Sequence, residues 1–527
     1  MTLQTVPSNV SLQSEEEIRI FGLLTILFLV CVCGNNSKRK QSAMGNDRCD
    51  QVGEENKSQN GEMQLKRTIG YFEGASFIVG TIVGAGIFVS PTGVLKYSLL
   101  NVGVALIIWT ACGIVSLMGA LCYAELGTAL PLSGGEYSHI KRALGSPLAF
   151  IFLWTAVFNK PASNAARALL FAEYATKPFY GECPVPDVLK KCLALAVLWC
   201  LGILNGRSVK MAAWVQTIFT VLKMMALSVI AVGGIVLLIR GRKENIARFE
   251  NAFGSEIPDA AQVAEAFYQG LYAYGGWWSL NYLSEEVKNP SRNIPLTVMT
   301  TLPAITVFYL LVNISYLTVL TPKEVVSSVA VAVTWADRVI PSVAWIIPAS
   351  VAISIFGALN SSVFTLGRLT YAGSQSGHLP TIVSMLNVHH WTPAPAMIFS
   401  TVVASIFIIP SDLIALTNYF GFSVWLMIGL TCTSLIVLRY REPNLHRPYK
   451  VFLPVAFGMV AISLFLVLAP IVWSPKVQYI YASIFMLGGL LLYVPFVHFK
   501  IHFAFIDKIT CYLQLLLEVS PPHYKSE

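Results

Sequence analysis

The sequence predicts an all-α polytopic membrane protein with twelve transmembrane helices. Apolar residues make up 55% of its 527 residues and charged residues only 12%, whereas soluble domains carry about 25% charged residues. The mean hydropathy is +0.64. Apolar runs long enough to cross a hydrocarbon core, which needs about 20 residues, recur along the chain. Because a backbone in lipid must satisfy its own hydrogen bonds, we expect these runs to be helical.

The predicted spans follow one another through short connections. Their approximate bounds are 71–94, 103–128, 148–175, 190–206, 212–239, 262–284, 295–319, 344–366, 394–410, 413–438, 453–472 and 479–499. Lys and Arg residues are most frequent in the tails and in alternate loops, which predicts that both termini are cytoplasmic. The outside loop at 240–261 departs from this rule, since it carries four basic residues. The net charge of +8 does not indicate nucleic-acid binding, because the basic residues form no aromatic-interleaved stripe.

Three regions are expected along the chain. Residues 1–62 form an N-terminal extension, 63–500 the twelve-helix transporter domain and 501–527 a cytoplasmic C-terminal tail. The apolar run at 20–33 is short for a span and lacks the basic start of a signal peptide. It is either an interfacial segment or the product of an unnatural upstream start. The rest of the extension is polar, which predicts disorder.

Glycine clusters interrupt two of the predicted helices. The first span contains Gly84-Ala85-Gly86, and the sixth contains Gly270 and Gly275-Gly276. These are corresponding positions in two five-helix halves, and such paired interruptions indicate a transporter site. Amides at a half-helix N-terminus attract a carboxylate, and carbonyls at a half-helix C-terminus accept from an ammonium group. The alternative is that the glycines only allow close helix packing.

Motifs of other functional classes are absent from the sequence. It contains no Gly-Lys pair and so no phosphate-binding GxxxxGK[ST] loop, and it has neither HExxH nor paired CxxC. We therefore expect no metal site, no cofactor and no enzymatic activity. Secondary transport is the class that remains.

Five stretches resemble the light chains of the heteromeric amino-acid transporters, within the amino acid–polyamine–organocation superfamily. They are Gln64–Arg67, Gly84–Pro91, Ala124–Gly127, Ser133–Tyr137 and Ser284–Pro290. The resemblance extends over residues 63–522 and implies a LeuT-type 5+5 inverted repeat with broken first and sixth helices. Four further stretches look most like the renal aspartate/glutamate and cystine transporter, which would place the chain in the plasma membrane, at the apical surface of renal epithelium. They are Leu238–Asn245, Tyr309–Thr321, Arg441–Leu453 and Thr510–Leu516.

The resemblance also implies the substrate-binding residues. The carboxylate site maps to Gly84, Ala85, Gly86 and Ile87, and the amino-group carbonyls map to Tyr272, Ala273 and Gly275. Tyr272 falls where the family has a gating aromatic residue. Gly275 stands where the cationic-preferring type has Asp, which disfavours Lys and Arg as main substrates. Val424 stands where the cystine/glutamate exchanger has Arg.

Three cations fall well inside predicted spans, away from the span ends, where a charge is expensive and usually functional. Lys160 and Arg167 are seven residues apart in the third span, nearly on one helix face, and either could recognise an acidic side chain. Lys160 could instead pair with a carbonyl near the loosened turn before Pro161. Lys223 lies in the middle of the fifth span. The resemblance places it where LeuT-type symporters bind sodium, which predicts that its ammonium replaces the ion against carbonyls of Gly84–Gly86.

One cysteine predicts a partner chain. Cys183 lies in a loop on the predicted outside, which is an oxidising compartment. Because no second cysteine of this chain is expected to pair with it there, Cys183 indicates an intermolecular disulfide. A free thiol is the alternative. The family forms its heavy-chain disulfide at this loop, which implies a single-span glycoprotein heavy subunit, with the rBAT type favoured.

We therefore expect sodium-independent exchange or facilitated uptake of acidic amino acids and cystine. A neutral amino-acid exchanger is the alternative transporter, favoured by Gly275. A sensor or scaffold that kept the fold without transport is the alternative of another class, and the paired helix interruptions argue against it.

Overall fold

The structure of the chain is a computed structural model. The structure describes residues 67–180, 185–241, 245, 248–249, 252–254, 256–328, 330–343, 345–409, 413–473, 477–499 and 504–521. The predicted N-terminal extension and the last residues of the predicted C-terminal tail lie outside the described residues.

Helices make up most of the described chain. The first eight are α1 (Tyr71–Ile82), α2 (Gly86–Tyr97), α3 (Val102–Ala129), α4 (Glu136–Leu144), α5 (Ser146–Tyr180), α6 (Asp187–Arg207), α7 (Val209–Ile239) and α8 (Ala260–Tyr274). A 3₁₀ turn at Ser279–Leu283 follows α8. The next helices are α9 (Pro290–Val319), α10 (Pro322–Ser327), α11 (Val331–Val339), α12 (Ile346–Gln375), α13 (Ala394–Ile408), α14 (Leu413–Arg441), α15 (Leu453–Trp473), α16 (Val477–Leu492) and α17 (Ala504–Leu516).

Several described helices are long and apolar enough to cross a membrane. They are α3, α7, α9, α12 and Ser423–Arg441 of α14, and α1 with α2 passes the same test as one span bent by 45°. Shorter apolar helices lie at Ala394–Ile408, Leu453–Ala469 and Ala482–His498. A multi-pass membrane protein is thus confirmed, while the count of twelve spans and the inverted repeat stay predictions.

Polar side chains set where the long helices begin. Asn101 accepts a hydrogen bond from the Val104 amide at the start of α3, and Ser208 accepts one from the Met211 amide at the start of α7. Asp259 caps α8 in a reciprocal capping box. These oxygens satisfy amides that have no partner within their own helix.

The broken helix α1–α2 lies at the centre of the bundle. Helix α1 contacts α7, α9 and α12, whereas α2 packs mainly on α8. The chain just before α1 is fixed by backbone bonds, because the amides of Thr68 and Ile69 both donate to the Glu286 carbonyl at 2.9 Å. The Glu286 side chain pairs at 2.8 Å with Arg368 of α12, and both side chains are buried. The segment before α1 is therefore attached to the loop before α9 and, through the Glu286 side chain, to α12.

Candidate functional site

Two helix interruptions coincide with the two glycine clusters. Helix α1 ends at Ile82, and Val83 adopts φ −77° and ψ 84°. The Gly84 amide then donates back to the Ile82 carbonyl at 2.9 Å, as in an inverse γ-turn. Helix α8 ends at Tyr274, and the chain stays non-helical until the 3₁₀ turn that begins at Ser279.

The two interruptions lie against each other, and glycine is needed for this contact. A Cβ atom on Gly86 would lie 2.6 Å from the Cα of Ala273. Gly276 has φ +125°, and a Cβ there would lie 2.6 Å from the Thr81 side chain. Close packing and a substrate site are therefore compatible roles for the same cluster. Gly275 is different, because its φ of −59° suits any residue.

The two interruptions, residues 83–85 and 275–278, together form what we call the junction. The first turn of α2 presents amides to this junction. Among the described residues, no group accepts a hydrogen bond from the amides of Ala85, Gly86 and Ile87, whereas the Gly84 amide is used by the γ-turn. Amides at a helix N-terminus carry partial positive charge and form a ready site for an anion. The predicted carboxylate site is thus available at three of its four residues.

The side of the junction formed by α8 presents carbonyls, and one tyrosine connects the two sides. The Tyr309 hydroxyl of α9 lies 3.1 Å from the Ala273 carbonyl and 3.2 Å from the Ile82 carbonyl. Its ring packs on Trp109 and Tyr274. Tyr309 is predicted from the sequence only as part of a stretch that resembles the family, and a polar aromatic residue within an apolar span was the available signal.

Lys223 of α7 lies beside the first interruption. Its ammonium donates to the carbonyls of Val83 at 2.8 Å, Gly80 at 2.9 Å and Ser354 at 3.1 Å. The side chain is 1% exposed. Three acceptors match the three protons of an ammonium group. The accepting carbonyls of the first helix come from residues 80 and 83 rather than from the expected Gly84–Gly86, because α1 begins to unwind before the glycines.

Lys160 of α5 belongs to a buried network rather than to the junction. Its ammonium donates to the Tyr282 hydroxyl at 2.7 Å and lies 4.0 Å from the centre of that ring. The Tyr282 hydroxyl donates to the Glu136 carboxylate, which also accepts from Tyr123 at 3.3 Å. A carboxylate thus compensates the charge, and the alternative of a carbonyl partner before Pro161 is not the arrangement observed.

Arg167 has a contrasting environment on the same helix. It is half-buried and has no hydrogen-bond or ion-pair partner among the described residues. It lies close enough to interact electrostatically with Tyr272, whose side chain is 57% exposed, and with Lys160 and Lys223. A guanidinium without a partner can take a carboxylate in bidentate fashion. The two cations of the third span therefore differ in their partners, since Lys160 is bound to Tyr282 and Arg167 is bound to no described residue.

Val424 and Cys183 are two further positions to which the sequence assigned a meaning. Val424 of α14 is partly buried and brings no charge. Cys183 lies outside the described residues, so its predicted disulfide has no structural account. The described cysteines are Cys112, Cys122, Cys192, Cys200, Cys432 and Cys511, and all are free thiols.

Comparison with known proteins identifies the family. The profile of the family described as amino acid permease matches residues 69–494. Solute carrier family 7 member 13 of Mus musculus is 49% identical over 461 residues, which cover 88% of this chain and 96% of that protein. The b(0,+)-type amino acid transporter 1 of Homo sapiens is 45% identical over 466 residues, covering 88% and 95%. Solute carrier family 7 member 12 of Mus musculus is 42% identical over 459 residues, covering 87% and 98%. The resemblance to heteromeric amino-acid transporter light chains is confirmed at the level of the family: the chain belongs to the amino acid permease family, with close relatives in solute carrier family 7.

Proposed function

We propose that this amino acid permease is a sodium-independent exchanger that prefers acidic amino acids and cystine. The observation that carries the proposal is the junction of the two interrupted helices. The amides of Ala85–Ile87 have no acceptor among the described residues and can hold an α-carboxylate. The carbonyls of Tyr272, Ala273 and Gly275 can accept from an α-ammonium group. Both groups are common to all amino acids, so this part of the site selects the substrate class.

Arg167 supports the acidic preference. Its charge is unpaired among the described residues and lies near the exposed Tyr272. A second carboxylate on the substrate would compensate that charge, whereas a neutral side chain would leave it without a partner. Gly275 adds no acidic group that would attract a cationic substrate. Its lack of charge equally suits a neutral amino-acid exchanger, which is the second candidate.

Lys223 supports independence from sodium. An ammonium group held by three carbonyls at the first interruption occupies the kind of oxygen cage that a sodium ion would need. Because the charge is covalently attached, no ion gradient is coupled to the substrate. Uptake should be unchanged when choline replaces sodium, and a collapse of uptake in choline would contradict this role.

The partner is proposed from the loop that carries Cys183. We expect a single-span glycoprotein heavy subunit, with the rBAT type favoured, to form a disulfide there. Cys183→Ser should abolish a reducible high-mass band on non-reducing gels while the heavy subunit still co-purifies. Cys192→Ser is a matched control that should keep the band. Survival of the band in Cys183→Ser would assign the disulfide to another cysteine.

A substrate panel tests the whole proposal. Proteoliposomes containing the chain with a co-expressed heavy subunit should take up labelled glutamate, aspartate and cystine in preference to leucine and arginine. Preference for leucine would favour the neutral exchanger. Absence of any uptake by the intact heterodimer would favour a sensor or scaffold.

A further inference from the structure

A cluster of neutral polar side chains lies along α1, away from the proposed substrate contacts. It consists of Asn205 of α6, Gln216 and Thr220 of α7, and Asn360 of α12. Three of these residues are fully buried and Thr220 is 7% exposed. We call this set the polar cluster. Buried amide and hydroxyl groups in an apolar bundle are costly unless they are hydrogen-bonded. In the polar cluster, every side-chain polar atom except the Asn205 oxygen has a partner among the described residues.

The bonds of the polar cluster lead step by step to the backbone of α1. Asn205 donates to the Asn360 side-chain oxygen at 3.0 Å, and Asn360 donates to the Gln216 side-chain oxygen at 2.9 Å. Gln216 then donates to the Ser76 carbonyl at 3.3 Å, and the Thr220 hydroxyl donates to the same carbonyl at 3.1 Å. Side chains from three other helices are thus connected to one carbonyl in the middle of α1, directly from α7 and through hydrogen bonds from α6 and α12.

The fit of α1 against this cluster depends on Gly80. A Cβ atom on Gly80 would lie 1.7 Å from the Gln216 side-chain nitrogen and 3.0 Å from the Thr220 hydroxyl. The Gln216 amide therefore fills the space beside the glycine backbone. Residues 216, 220 and 223 lie on one face of α7, and all three donate to α1, at Ser76, Gly80 and Val83.

We infer that the polar cluster holds α1 in its closed position and thereby makes transport an exchange. The inference rests on the proposed function and on the predicted orientation, in which α1 is the cytoplasmic half of the first span. Opening on that side requires α1 to separate from α7, which breaks both bonds to Ser76 and leaves Gln216 short of an acceptor. An empty transporter has nothing to compensate this loss. A bound substrate contacts the interruption at the end of α1 and can stabilise the open state through its differential affinity.

The test compares side chains that differ by one hydroxyl or amide. Thr220→Val removes the hydroxyl with little change of shape, and Thr220→Ser keeps it. Gln216→Met removes the amide at similar length. Thr217→Val is the matched control, because the Thr217 hydroxyl bonds to no described residue other than Ala213 of its own helix. Each variant is purified with the heavy subunit and reconstituted with labelled glutamate inside the vesicles.

The expected readout is the ratio of efflux with and without external substrate. In Thr220→Val and Gln216→Met, efflux into substrate-free buffer should rise about fivefold, as the loss of one or two buried hydrogen bonds predicts. Exchange against external glutamate should change less than about twofold. Thr220→Ser and Thr217→Val should behave as the wild type. If both hydrogen-bond-deleting variants keep the wild-type ratio, the inference is overturned.

A second measurement is independent of transport. A cysteine introduced as Val79→Cys on α1 should react about fivefold faster with a membrane-impermeant maleimide from the cytoplasmic side when Thr220→Val is also present. Equal labelling rates would overturn the inference even if the flux ratio changed. If wild-type vesicles exchange normally and the variants do not differ from the wild type, only this inference is overturned. If wild-type vesicles show no substrate flux, the proposed function is overturned and the inference with it.

Discussion

The two halves of the first span are held in opposite ways. Helix α1 is bound through its backbone carbonyls, since Ser76, Gly80 and Val83 all accept hydrogen bonds from α7. Helix α2 is held mainly by close contact, because a Cβ on Gly93 would lie 2.7 Å from the Gln269 side chain and one on Gly86 would meet Ala273. The same span thus has a polar attachment on one side of its interruption and a tightly packed one on the other.

This difference indicates which half can move. Breaking one hydrogen bond to α1 costs about 1 kcal/mol, which a bound substrate can offset. Separating interdigitated side chains leaves a cavity, which costs more. We therefore expect α1 to be the half that is released during transport and α2 to stay with α8.

The largest effect is expected at the polar attachment. Lys223→Met should nearly abolish uptake, because the carbonyls of Gly80, Val83 and Ser354 lose their common donor and each buried orphan costs about 1–3 kcal/mol. Uptake of labelled glutamate is measured at matched surface expression. Lys210→Met, at an exposed position at the start of the same helix, is the control. A fully active Lys223→Met would mean that Lys223 does not replace an ion.

The packed side is tested by adding a single methyl group. Gly86→Ala should lower the thermal stability of the purified heterodimer and reduce uptake more than tenfold, since its Cβ would meet backbone atoms at 2.6 Å that cannot rotate away. Overpacking of this kind costs about 1–3 kcal/mol. Gly488→Ala, with no atom within 4 Å of the new Cβ, should change neither quantity. A stable and active Gly86→Ala would remove the contrast between the two halves.

The substrate side of the comparison is tested at the two cations of α5. Arg167→Gln should weaken glutamate and aspartate uptake by about tenfold or more, because a desolvated carboxylate loses its charged partner. Leucine uptake should change less than about twofold. Lys160→Gln should affect acidic and neutral substrates alike, since Lys160 is already bound to Tyr282. Equal losses for glutamate and leucine in Arg167→Gln would make Arg167 structural.

The smallest effect is expected at the tyrosine between the two interruptions. Tyr309→Phe should reduce uptake by about threefold to tenfold, which corresponds to one buried hydrogen bond of about 1 kcal/mol. Tyr316→Phe is the matched control, because the Tyr316 hydroxyl is buried on the same helix without a partner among the described residues. A Tyr309→Phe variant as active as Tyr316→Phe would assign Tyr309 to packing alone.

The sequence predicted features that depend on local patterns. The glycine clusters indicated both interruptions, and the apolar runs placed most of the long helices to within a few residues, as in 212–239 against Val209–Ile239. Helix α12 is an exception, since it continues to Gln375, beyond the predicted span 344–366. Lys223 was noticed because a charge within an apolar run is conspicuous. These signals are carried by neighbouring residues, so no knowledge of the packing was needed.

Long-range partners could not be predicted in the same way. Lys160 bonds to Tyr282, 122 residues away, and Tyr309 bonds to Ile82, 227 residues away. The polar cluster joins three helices through residues that each resemble an ordinary polar residue in a span. Which amide meets which carbonyl depends on helix rotation and crossing, and no local pattern records either.

The Tyr309 hydroxyl lies within hydrogen-bond distance of two carbonyls but carries a single hydrogen, so only one of them can be bonded at any instant. The Ile82 carbonyl also receives the Gly84 amide, whereas no other described donor reaches the Ala273 carbonyl. An ammonium group that arrived at Ala273 would therefore release the hydrogen toward Ile82. Binding of an ammonium group at α8 would thus change the hydrogen bond at the end of α1 through the rotation of one O–H bond, without displacement of any heavy atom.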